Sequence, residues 1–170
     1  MKIAGMIVVF AGCAAVGIYY RMREMMCYRN LMELMQGMMV IQGEIASVRT
    51  PLPDAVFQAA KRTRGTASAF LNEVCERLEE RSHDVKSLWE EEVRKYFDHG
   101  QLKNEDLAEL IRVGEVLGYL DVEMQLQSIR RYQNRLEAGI HRQQKEVEKK
   151  AALYPALGAA AGILCCLVFV

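Results

Sequence analysis

The sequence predicts an all-α protein, an antiparallel six-helix bundle held between two membrane-spanning helices. Three observations carry that expectation. Gly and Pro are sparse, 12 and 3 in 170 residues, and the middle of the chain is rich in Glu, Arg, Leu, Met and Ala, all good helix formers. Apolar residues there recur at intervals of three and four, the period of a helix with one buried face. Charge is segregated, because every charged residue except Lys2 lies between Arg21 and Lys150 and the two ends carry none. The expected division is an N-terminal transmembrane helix over residues 1–20, a cytoplasmic helical bundle over 21–150 and a C-terminal transmembrane helix over 151–170.

Ile3 to Tyr20 is an uncharged run of 18 residues. As a helix it reaches roughly 27 Å, close to the roughly 30 Å thickness of the hydrocarbon layer. Ala151 to Val170 adds 20 uncharged residues, with Pro155 near its start, where a missing backbone donor costs least. Arg21, Arg23 and Arg29 follow the first run, and Lys145, Lys149 and Lys150 precede the second. The positive-inside bias therefore sets both inner boundaries, and the bundle between them, on the cytoplasmic side, against the single opposing charge of Lys2. A cleaved signal peptide would give way to a polar mature start, whereas here the apolar stretch continues through Val16, Ile18, Tyr19 and Tyr20. Phe10-Ala11-Gly12-Cys13 has the look of a loose lipoprotein box, but the residues after it stay apolar, as in a retained span.

The first bundle helix is expected from about Arg21 to Val48, with a stripe of Met25, Tyr28, Leu31, Met35, Met38, Ile41, Ile45 and Val48. Seven of the ten methionines fall between Met22 and Met39. Their flexible thioethers suit a partner-binding face, and an apolar stripe suits the domain's own core; Met35 and Met38 are the candidates on which the two uses diverge. Thr50-Pro51-Leu52-Pro53-Asp54 opens a second helix, with Thr50 as cap, Pro51 at the first helical position and Asp54 at the positive end of the dipole. That helix runs to about Arg64, Gly65 stops it, and Thr66 or Ser68 starts a third. Ser82 or Asp84 opens a fourth helix carrying Leu88, Trp89, Val93 and Phe97, and His99-Gly100 breaks it. A fifth spans about Asn104 to Leu117, closed by Gly118 in a left-handed cap, and a sixth begins at Asp121 and continues toward the second membrane span.

Composition also excludes functions. With 22 basic and 22 acidic residues the net charge is zero, so nucleic acid is not an expected partner. Five cysteines, three of them in the apolar ends, make no disulfide framework, and three scattered histidines without a Cys-x-x-Cys make no zinc site, so no metal or cofactor is expected. No Gly-x-Ser-x-Gly and no P-loop is present, which leaves no recognisable catalytic centre. Glu79-Glu80 and Glu90-Glu91-Glu92 read as solvated surface, since neighbours on a helix diverge and glutamate is seldom buried. Lys61, Arg62 and Arg64 complement a helix C-terminus, with docking to an acidic partner as a second reading. Ser82-His83-Asp84 is similar to the phosphorylatable box of sensor histidine kinases, in which the acid serves the imidazole as base, but no Gly-rich nucleotide segment follows it. Gly114 inside a helix costs about 1 kcal/mol relative to Ala, which points to a second helix backbone approaching there. Glu115 beside it is placed either to accept backbone N–H groups of a neighbouring helix start or to face solvent.

These residues also carry a resemblance. Gly114-Glu115, Gly118, Leu120 and Asp121, with Tyr154-Pro155 at the opening of the second apolar run, resemble the cytoplasmic domain of the type II secretion platform protein F family. Thr50-Pro51-Leu52-Pro53-Asp54-Ala55 and Trp89, in the same order, are similar to that family's stage III sporulation members. The resemblance covers essentially the whole chain. It implies a non-enzymatic platform in the membrane around the forespore, with the bundle in the mother-cell cytoplasm. It also implies contact with a hexameric secretion-type ATPase resembling stage III sporulation protein AA, with other channel subunits and with the lipid bilayer. Secretion platform proteins carry two copies of the bundle and three spans. One copy between two spans therefore implies a homo-oligomer.

Overall fold

In a computed structural model of the chain, residues 2–79, 84–98, 100–117 and 121–169 are described, with residues 2–11, 13, 14 and 150–169 described by their backbone alone. Every regular element among the described residues is helical. The helices are α1 (Lys2–Gly43), α2 (Leu52–Arg62), α3 (Gly65–Glu79), α4 (Val85–Phe97), α5 (Asn104–Leu117) and α6 (Val122–Phe169), with a π-helical turn over Glu44–Val48 after α1. The fifth helix opens at its expected residue, Asn104, and is helical through Leu117.

The two terminal runs are not separate helices. α1 joins the first apolar run to the first bundle helix, and α6 joins the sixth to the second run, because the residues at each junction are all compatible with a helix and none is a Gly or Pro break. Pro155 accordingly lies in the interior of α6 and not at a helix opening. Among the described residues no helix is long and apolar enough to cross a membrane. Most side chains of the expected spans, Ile3–Tyr20 and Ala151–Val170, lie outside the described residues.

Contacts divide the chain into two units, residues 1–26 with 142–170, and residues 27–141. In the first, Gln143 is 1% exposed and its amide donates to the Glu24 carbonyl at 3.3 Å and to the Glu24 carboxylate. A buried amide on α6 satisfied by α1 links the two long helices there.

The second unit holds the core. α1 contributes Leu31, Leu34, Met38 and Ile41, all buried, with Met35 packed at the edge, and the π turn adds the buried Ile45. Val48, expected to continue this stripe, is exposed: the wider π turn rotates it away, and Arg49 then ends the helical run in the left-handed region at φ 55°. Polar anchors fix α1 in place. Asn30 donates to the Gln101 backbone and side-chain oxygens, each at 3.0 Å, and the Cys27 thiol to the Gly100 carbonyl at 3.2 Å. Glu33 accepts the Arg64 N–H at 2.9 Å.

α2 and α3 form an antiparallel hairpin. Ser68 donates to the Ala60 carbonyl at 2.9 Å near the turn, and the Cys75 thiol to the Pro53 carbonyl at 3.6 Å near the open end. Thr63 ends α2 by donating to the Ala59 carbonyl at 2.9 Å, and Gly65 opens α3 at φ 58°, a conformation that favours glycine. Thr50 does not cap α2. Its hydroxyl donates to the Glu44 carboxylate at 3.2 Å, and Pro51 stands one residue before the helix with its carbonyl accepting the Ala55 N–H at 3.0 Å. At the start of α6, Asp121 accepts the Glu123 N–H at 3.0 Å and so caps the helix expected to begin there.

Candidate functional site

The residues singled out by the sequence meet most densely where α3, α4 and α5 pack together. Gly114 on α5 is buried, and a Cβ built there would lie 2.4 Å from Trp89 Cδ1 and 2.7 Å from Trp89 Cβ. The close neighbour is thus a tryptophan side chain on α4, not a helix backbone. The Trp89 indole N–H donates to the Leu110 carbonyl at 2.8 Å. A helical side chain covers the turn on its N-terminal side, so a side chain at position 114 would lie over the carbonyl that Trp89 uses. Glycine leaves both the space and the acceptor open. Phe70 on α3 meets Trp89 edge-on at 5.0 Å between ring centroids and Phe97 at 5.3 Å, which carries the contact across to the third helix.

Glu115 pairs with the Lys86 ammonium at 3.0 Å, both half-exposed. It therefore reaches a side chain in the first turn of α4 and not backbone N–H groups, and Lys86 is held above its ordinary range by that hydrogen bond.

Glu92 departs most from the sequence expectation. It is 1% exposed, not solvated, and its carboxylate pairs with Arg77 on α3 and with Lys95 at 3.2 Å. Arg77 also meets Glu91 at 2.9 Å. Lys95 continues to Glu73 at 3.0 Å, and the hydrogen bond and charge of Lys95 hold the Glu73 carboxyl below the usual carboxylate range. A buried carboxylate needs such compensation, and the basic residues that supply it come from α3 and α4. Glu92 shares a face with Trp89 and Val93, three core-facing positions on one side of α4. That periodicity was the one signal in the sequence for its burial.

The methionines divide. Met38 is fully buried and Met35 packs against the core, while Met22, Met25, Met26, Met32 and Met39 are exposed. Pro51 and Pro155 stand at the positions given above. Gly118 and His83, and with them the left-handed cap and the kinase-like box, lie outside the described residues. Among the described residues no group of three or more His, Cys, Asp or Glu could hold a metal ion.

Fold and site define, among the described residues, an all-α protein of helical hairpins joined by the Trp89 contact and by an ion-pair network around the buried Glu92 carboxylate. The chain belongs to the stage III sporulation protein AB family, whose model matches residues 2–170. It is 28% identical over 136 residues to stage III sporulation protein AB of Bacillus subtilis (strain 168), covering 80% of each chain. It is also similar to a solved structure of stage III sporulation protein AB (SpoIIIAB), with 27% identity and a TM-score of 0.66 over 72% of this chain and 97% of that one.

Proposed function

We propose that this chain acts in sporulation as a non-enzymatic membrane platform. In this reading its helical bundle faces the mother-cell cytoplasm and couples a hexameric secretion-type ATPase to a channel between mother cell and forespore. The observation that carries the reading is the family match over residues 2–170, which takes in both uncharged ends as well as the bundle. The basic residues flanking those ends favour a cytoplasmic bundle. A mechanical role is favoured by the continuity of α1 and α6, each of which includes core-forming residues and a terminal run in one helix. ATP hydrolysis in the partner would then move or order the bundle, and the long helices would carry that change toward the bilayer. No reacting group of this chain takes part.

Co-expression of the full chain with the ATPase tests this. The ATPase is expected to sediment with membranes containing the chain and to stay soluble without it. An ATPase distribution indifferent to the chain would remove the platform reading. His83→Ala is expected to leave spore yield unchanged, whereas loss of spores together with acid-labile phosphate on His83 would replace the reading with phosphotransfer.

A further inference from the structure

The α2–α3 hairpin carries more charge than it uses. Glu73 is engaged by Lys95, Arg77 by Glu91 and Glu92, and Glu33 of α1 by the Arg64 amide. Six exposed side chains of the hairpin form no ion pair with a described residue: Lys61, Arg62 and Arg64 at the turn, and Asp54, Glu76 and Glu79 at the open end. Antiparallel packing separates the two sets, because Ser68 lies beside Ala60 and Cys75 beside Pro53. The acids share one neighbourhood, since burial pushes the Cys75 thiol up and Glu79, Asp54 and Glu76 all add to the effect. Between the charged ends the fully exposed side chains of the hairpin are uncharged. Phe57 is 39% exposed with the Lys61 ammonium 4.0 Å above its ring, and Ala69 and Asn72 are exposed on α3.

We infer that this hairpin is the self-association surface, on which a second copy of the chain docks antiparallel so that the basic turn of each faces the acidic end of the other. A face with equal and opposite charge at its two ends is self-complementary under a two-fold rotation, and only that arrangement satisfies all the charges of both copies while closing on itself. Phe57, between the ends of α2, then falls beside the two-fold axis, where an aromatic side chain adds most to an interface. The inference rests on the platform reading for its use, as the means by which single-bundle chains pair, and its charge pattern can be tested separately.

Two differently tagged full-length chains co-expressed in membranes provide the test. Wild-type copies are expected to co-purify, less as salt is raised, because exposed charges are screened over roughly 8 Å at physiological ionic strength. Lys61→Glu with Arg62→Glu leaves both ends acidic, and Glu76→Lys with Glu79→Lys leaves both ends basic. Each double variant is expected to lose self-association, and the two mixed together are expected to regain it as a heterodimer. That rescue also demonstrates that both variants fold. Co-purification unchanged by either reversal, or no rescue on mixing although both variants retain wild-type helical circular dichroism, overturns the inference. So does loss of ATPase recruitment by the variants with self-association intact, which would assign the face to another protein. Loss of self-association alone, with the ATPase still recruited, separates this surface from the platform contact.

Discussion

Trp89 and Gly114 show how single residues hold the helices together. The ring occupies the place of a side chain on α5, and its N–H takes a carbonyl that the missing side chain leaves uncovered. Gly114→Ala should therefore destabilise the chain by about 1–3 kcal/mol through overpacking, despite the gain of roughly 1 kcal/mol in helix propensity. Urea unfolding followed by the fluorescence of Trp89, the one tryptophan of the chain, reads this directly. A variant as stable as the parent would contradict the tight contact. Glu73 supplies a pH dependence. Lys95 lowers its folded-state pKa, so the pair contributes stability above the unfolded value of about 4.3 and loses it as pH falls through the lower folded value. The acid limb of the stability curve should flatten in Glu73→Gln, and an unchanged limb would show that the exposed pair is fully screened.

At the scale of elements, helix limits follow local chemistry where a strong breaker or cap is present. α6 starts after the Asp121 cap, and α3 opens on Gly65. Gly65 has open space where a Cβ would go, but its φ of 58° makes any side chain strained. Gly65→Ala should cost about 1 kcal/mol, and Gly65→Asn less, because asparagine tolerates the left-handed region better. Equal midpoints for both variants in thermal unfolding would argue against strain at the corner. Thr50 shows where local reasoning stops: it has the chemistry of a cap, yet Glu44 on the preceding π turn accepts its hydroxyl hydrogen. The exposed methionines of α1 mark the same limit, since a run of thioethers reads alike whether each one meets the core or solvent.

For the molecule as a whole, the charge segregation predicts orientation. In membrane vesicles with the cytoplasmic face outward, protease should cut between Arg21 and Lys150 and leave both ends protected; in the opposite orientation the bundle should survive. Cleavage in the reverse pattern would invert the topology. Amino-acid order alone determined the all-helical class, most helix limits in the bundle and the separation of uncharged ends from a charged middle, because propensity, periodicity and hydropathy act over a few neighbouring residues. It also singled out Gly114 as a site of close approach, from the local penalty of glycine in a helix. Tertiary structure alone decided that the neighbour is Trp89, that Glu92 is buried against Arg77 and Lys95, and that Glu73 pairs with Lys95 across helices. These depend on which side chains from distant parts of the chain meet after packing, and a carboxylate in a run of three carries no local sign of which one an arginine from another helix will reach.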